Sequence, residues 1–225
     1  MEEFENPFIR SITHLENSGV EYVIVGGFAV VMHGCNRFTP DLNVMVSVED
    51  EKSLAVFLQD LAKEEFIATT DSDPLVFLDD ARRTQLYDEG RRWFFSFRNL
   101  ESPSFSLDLF LKFPVPFAQV SERKVTLSVD DKLSFNICSL EDLVAMKSVA
   151  GRGQDKADIG ALTLIKKLEE LRNQGAPEAD LLALGATDAE QEQIEGFLRF
   201  MSLTPKEKLS WLAEMLNHLG KFCVA

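Results

Sequence analysis

The chain has 225 residues, 45% of them hydrophobic and 27% charged, which is enough apolar material for one full core and a small second one. A formal net charge of -14 disfavours a broad nucleic-acid surface, since phosphate contacts need clustered Lys and Arg, and suits a small anionic ligand reached through a bridging cation. The three cysteines, Cys35, Cys138 and Cys223, are odd in number and lack metal-ligand spacing, the Met1-Glu2-Glu3-Phe4-Glu5 start has neither region of a signal peptide, and no apolar run approaches the ~20 residues of a membrane span, so a cytoplasmic location with no disulfide and no membrane partner is expected.

In chain order, Asn6-Pro7 reads as an N-cap with a first-turn proline, and Phe8, Ile12 and Leu15 recur at helical spacing until Gly19. Residues 20–25 are short, apolar and β-branched, as in a buried strand, and Gly26-Gly27 ends them. Phe28 to His33 reads as a short helix closed by Gly34. Residues 41–48 alternate, with Leu42, Val44 and Val46 pointing one way and Asp41, Asn43 and Met45 the other. Glu49-Asp50 opens a helix to about Lys63 with Leu54, Phe57, Leu58 and Leu61 on one face.

Further strands are expected near 65–69, 74–78, 92–98, 104–111 and 123–127, with the polar stretch 79–92 either a loop or a short helix. Ser139 caps a helix from Leu140 to about Ala150 with Asp142 at its third position, Gly151 and Gly153 break the chain, and the pattern from Asp155 onward is helical. The compositional shift near residue 138 divides the chain into an α/β domain, 1–138, and a helical C-terminal domain, 139–225.

Three features carry chemistry. Gly26-Gly27 lies between a strand and a helix, where it either turns the chain or lets a phosphate approach the free N–H groups of the helix start. Asp41 and Asn43, two apart on a strand, share a face and can grip one hard cation, or else they are ordinary surface residues. Asp108 sits in the apolar run Phe105-Ser106-Leu107-Asp108-Leu109-Phe110-Leu111, where a buried carboxylate needs a cation unless the strand lies at a sheet edge.

Together, Tyr22-Val23-Ile24-Val25-Gly26-Gly27, then His33-Gly34, then Arg37-x-Thr39-x-Asp41-Leu42-Asn43, resemble the signature of the abortive-infection type IV toxin (AbiEii-like) branch of the nucleotidyltransferase superfamily. Leu140 to Lys147, followed by Gly151-Arg152, Asp155 and Asp158, is similar to the helical segment after the catalytic domain there. The resemblance spans roughly residues 20–165 and implies an α/β (α+β) fold: a mixed sheet flanked by helices, then a helical C-terminal region.

It further implies that Gly26 and Gly27 face a triphosphate, that Asp41, Asn43 and Asp108 bind Mg²⁺ or Mn²⁺ and carry the catalysis, and that Asp108 is a candidate base. Lys147 would neutralise phosphate charge, and Arg37 and Thr39 would order the loop beside the nucleotide. The implied reaction moves a nucleotidyl group from a nucleoside triphosphate to a hydroxyl acceptor, RNA or protein among them, in a toxin-type enzyme with an antitoxin partner. His33 reads as a satisfied helix-end histidine, and Asp155 and Asp158 as residues that start a helix. Asn43 stands where active relatives usually carry Asp, and its neutral side chain keeps open a degenerate protein that binds nucleotide or a protein partner without turnover. A third reading gives the helical half an interaction role with no nucleotide at all.

Overall fold

Helix α1 (Pro7–Ser18) starts where the Asn6 side chain accepts hydrogen bonds from the backbone N–H groups of Phe8 and Ile9, and it ends at Gly19. The computed structural model describes residues 6–63, 66–69, 73–90, 94–112 and 115–222. Strand β1 (Tyr22–Val25) is buried along its whole length, as its uninterrupted apolar run requires of a central strand. It passes directly into helix α2 (Gly26–Met32). Strand β2 (Asp41–Val46) and helix α3 (Glu51–Lys63) follow, the latter begun by Asp50, whose carboxylate accepts from Ser53.

Next come β3 (Phe66–Ala68), α4 (Asp80–Gly90), β4 (Phe94–Asn99), β5 (Ser106–Phe110), α5 (Phe117–Glu122), β6 (Val125–Ser128) and β7 (Ser134–Ile137). The remainder is helical: α6 (Leu140–Ala150), α7 (Gly153–Asn173), α8 (Glu178–Leu182), α9 (Asp188–Met201) and α10 (Pro205–Phe222). The strands form one mixed sheet in the order β3-β4-β5-β2-β1-β7-β6, with β2 parallel to β5 and β1 parallel to β7. This is the expected α/β fold, a mixed sheet flanked by helices and followed by a helical region.

Some local expectations change. Residues 74–78 form a 3₁₀ helix and not a strand, because Pro74 has no N–H for a ladder and the Asp73 side chain accepts from Leu75 N to start a helical turn. The polar stretch after it is helical over α4, where Arg83 pairs with Asp80 and donates to the Phe77 carbonyl. The strand expected from residue 92 begins outside the described residues and continues as β4, and residues 64, 65, 91, 113 and 114 also lie outside them. Helix α5 and strand β7 were not anticipated. The hairpin that makes β7 is set by Asp130, whose carboxylate accepts from the N–H groups of Lys132 and Leu133.

Several contacts cross residue 138. Helix α10 packs on α1 and α2, the Asn6 amide donates to the Leu209 carbonyl at 2.9 Å, and the Lys208 ammonium donates to the Met32 carbonyl at 2.9 Å. A single apolar cluster extends from Phe8 through the sheet to Leu216. No described helix is long and apolar enough to cross a membrane. Cys35 and Cys138 are buried free thiols, and Cys223 lies outside the described residues.

Because Asn6 both caps α1 and bonds α10, Asn6→Ala should lower the free energy of unfolding by about 1–2 kcal/mol. Urea denaturation measures it. An unchanged midpoint would mean that neither bond contributes.

Candidate active site

Sheet register brings the acidic residues together. Asn43 on β2 lies opposite Asp108 on β5, and Asp108 lies opposite Ser96 on β4. Asp41, two residues before Asn43, shares its face of the strand. Strand β5 is interior, between β2 and β4, so the edge-strand alternative for Asp108 is removed. Its Oδ1 is buried with no hydrogen-bond partner among the described residues. Burial, reinforced by the charge of Asp41, pushes the Asp108 carboxyl up to about 6, against the hydroxyls of Ser96 and Ser106, which favour the charged form.

Both oxygens of Asp41 are engaged. The Thr39 hydroxyl donates to Oδ1, and the Asn43 amide nitrogen donates to Oδ2. In this arrangement Asn43 steadies Asp41, and its amide must rotate to offer an oxygen to a cation that Asp41 shares. A buried carboxylate oxygen without a partner, next to a second carboxylate, is the donor chemistry that a hard divalent cation satisfies. Two carboxylates suit one Mg²⁺ or Mn²⁺ completed by water and phosphate oxygens. No group of three or more His, Cys, Asp or Glu side chains gathers among the described residues, so a second ion would find few charged donors.

The glycine corner is built around neighbouring side chains. Gly26 has φ +67°, and a Cβ there would stand 2.9 Å from Asn43 Cβ. At Gly27 a Cβ would stand 2.6 Å from Arg37 Nη2 and would also collide with Thr39. The two glycines therefore let the Arg37–Thr39 segment and Asn43 close over the start of α2. The backbone N–H groups of that start receive no side-chain cap.

Arg37 and Lys147 both enter an ionic cluster on α7. Arg37 Nη1 meets Asp158 at 2.7 Å, Lys147 Nζ meets Asp158 at 2.6 Å and Asp155 at 3.3 Å, and Arg152 Nε meets Asp155 at 2.8 Å. The Lys147 side chain is only 7% exposed, and both aspartates are 1% exposed. Burial alone would raise the Asp158 carboxyl, but the bonds from Lys147, Gln154 and Arg37 more than reverse this and leave it below the usual carboxylate range. Asp155 is likewise held low, burial being outweighed by the bonds from Arg152. Lys147, expected to stand free for phosphate, is thus a buried tie between α6 and α7, and Asp155 and Asp158 are its partners and not mere helix starters. The His33 ring bonds the Cys138 carbonyl at 2.9 Å.

Of the predicted site residues, the structure gathers Gly26, Gly27, Thr39, Asp41, Asn43 and Asp108 at one corner and joins Arg37 and Lys147 to it through Asp158. Sequence reasoning passed over Ser96, which has no local signal, and gave no part to the Arg152 side chain.

The sequence-family model described as "Nucleotidyltransferase of unknown function (DUF6036)" matches residues 8–174. The chain belongs to this nucleotidyltransferase family. No curated protein matches the sequence. Among solved structures, the chain is similar to the lincosamide antibiotic adenylyltransferase LnuA with lincomycin bound, at 14% identity and a TM-score of 0.48, over 72% of this chain and 97% of that one.

Two outcomes follow from this geometry. In metal-free protein, Asp108 is raised above its ordinary value, so its stabilising contribution is present at pH 4 and is lost as pH rises through about 6. Asp108→Asn should therefore raise stability at pH 8 in chelator, by up to about 3 kcal/mol, and change it far less at pH 4. Chemical denaturation at the two pH values checks it, and equal effects at both would refute the assignment. Lys147→Met should cost on the order of 3 kcal/mol, because it removes a buried cation shared by two buried carboxylates. An unaltered unfolding curve would show that the ionic cluster is not formed.

Proposed function

We propose that the protein transfers a nucleotidyl group from a nucleoside triphosphate to a hydroxyl acceptor, with one Mg²⁺ or Mn²⁺ held by Asp41 and Asp108. The observation that carries this is the β2–β5 register, which sets the partnerless Asp108 oxygen beside Asp41 at the glycine corner. A cation bound there would supply charge neutralisation and Lewis-acid polarisation at the reacting phosphoryl group.

The protein's own groups have defined parts. Asp108, on the β5 side of the site, accepts the proton of the attacking hydroxyl. The acceptor oxygen bonds to the α-phosphorus, the bond from that phosphorus to the bridging oxygen breaks, and pyrophosphate leaves with the electron pair. Thr39 and Asn43 fix the orientation of Asp41, and the uncapped N–H groups at Gly26-Gly27 face phosphate oxygens. The acceptor class is RNA or protein by the resemblance, and the charge of -14 favours a protein or small molecule over a long RNA. A toxin role, an antitoxin partner and a cytoplasmic location belong to the same reading.

The hydrogen bond from Asn43 to Asp41 favours a second reading, in which the site binds nucleotide without turnover because one charged donor is replaced by an amide. Titration with ATP, GTP, CTP and UTP, with and without Mg²⁺, followed by a radiolabel-transfer assay, separates the two. Transfer is expected. Metal-dependent binding with no labelled acceptor, and gain of transfer in Asn43→Asp, would favour the second. Asp41→Ala should reduce metal-dependent nucleotide affinity by at least about tenfold while the fold persists. An unchanged affinity would remove the site assignment.

A further inference from the structure

Three cations surround the two buried aspartates of α7, and they differ in what they have left to offer. Lys147 is 7% exposed and divided between Asp155 and Asp158. Arg37 gives Nη1 to Asp158, its Nη2 lies against Gly27, and its Nε is buried without a partner among the described residues. Arg152 is 73% exposed. Its Nε and Nη2 grip Asp155 side-on at 2.8 and 3.2 Å, and neither bond uses Nη1. That grip fixes the plane of the guanidinium without consuming its outer donors, so little side-chain entropy is lost when a second anion binds.

Its position is equally telling. Arg37 lies against Gly27 through Nη2 and meets Asp158 through Nη1, and Asp158 stands one turn along α7 from Asp155, so the cluster that holds Arg152 abuts the glycine corner. Asp108 stands on β5, whereas Arg152 stands at the head of α7, which Arg37 and Asp158 tie to the loop before β2. An in-line displacement places the leaving group opposite the attacking hydroxyl. With the base on the β5 side, the pyrophosphate departs from the other side, where an exposed cation of the α7 cluster would meet it.

We infer that Arg152, and not Lys147, is the residue that binds the β- and γ-phosphates of the nucleotide and the departing pyrophosphate. This rests on the nucleotidyl-transfer reading of the site. Asp155 is then a positioning residue, which aims Arg152 and is itself met by Lys147 at 3.3 Å. The substrate class narrows accordingly to nucleotides with a polyphosphate tail.

The test uses the full chain in Mg²⁺, titrated with ATP, GTP, CTP, UTP, the monophosphate of whichever base binds, and pyrophosphate. Arg152→Ala should weaken triphosphate and pyrophosphate binding roughly ten- to a hundredfold and leave monophosphate affinity within about twofold, measured at a temperature where circular dichroism shows the variant folded, since it also removes a partner of buried Asp155. Arg152→Lys should recover part of the loss. If wild type binds a triphosphate and Arg152→Ala binds it equally well, or loses monophosphate to the same degree, the assignment of Arg152 is overturned and the transferase reading stands. If wild type binds no nucleotide with Mg²⁺, the transferase reading falls and this inference with it.

Discussion

The buried pairing of Arg37 and Lys147 with Asp158 is the interaction on which the rest of the site depends. It joins three parts of the chain that share no backbone hydrogen-bonding pattern: the loop before β2, helix α6 and helix α7. Placing charges at 1% exposure is expensive, and the attraction between them offsets that cost only when every partner is present. The cluster is therefore better understood as a device for position than as a source of net stability. It fixes where the helical region stands relative to the glycine corner and where Arg37 crosses Gly27.

A second constraint comes from the sheet. Parallel pairing of β2 with β5 allows residues distant in sequence to meet without a tight turn, and the register decides which side chains face one another. A slip of one residue would turn Asp108 to the opposite face and bring Leu107 or Leu109 beside Asn43. The apolar residues flanking Asp108 guard against that slip, since Leu107 and Leu109 are fully buried on the other side. The strand's hydrophobic pattern thus holds a carboxylate at a place it would not choose for itself.

Much of the architecture could be read from local pattern. Asn6-Pro7, the apolar run before Gly26 and the alternation after Asp41 each name their element, because capping, proline geometry and side-chain periodicity are short-range effects. What stayed hidden was set at long range. Strand β7 has only four residues and is defined by its partners β1 and β6. Residues 74–78 have the composition of a strand, yet Asp73 and Pro74 impose a helical turn. At the site, residue types and spacing marked Asp41, Asn43 and Asp108, but strand order and register are not written in any window of sequence. Lys147 was visible as a cation and its confinement was not, because its partners lie eight and eleven positions later on another helix.

The hydrogen bond from Asn6 to Leu209 closes a loop across 203 positions. Everything at the glycine corner lies between Gly26 and Asp158, so its parts leave the ribosome well before α10 does. Until α10 arrives, the faces of α1 and α2 that it covers stay wet and apolar. The growing chain thus passes through a stage with a nearly assembled site and an unfinished core, and it is most prone to stick to its neighbours then.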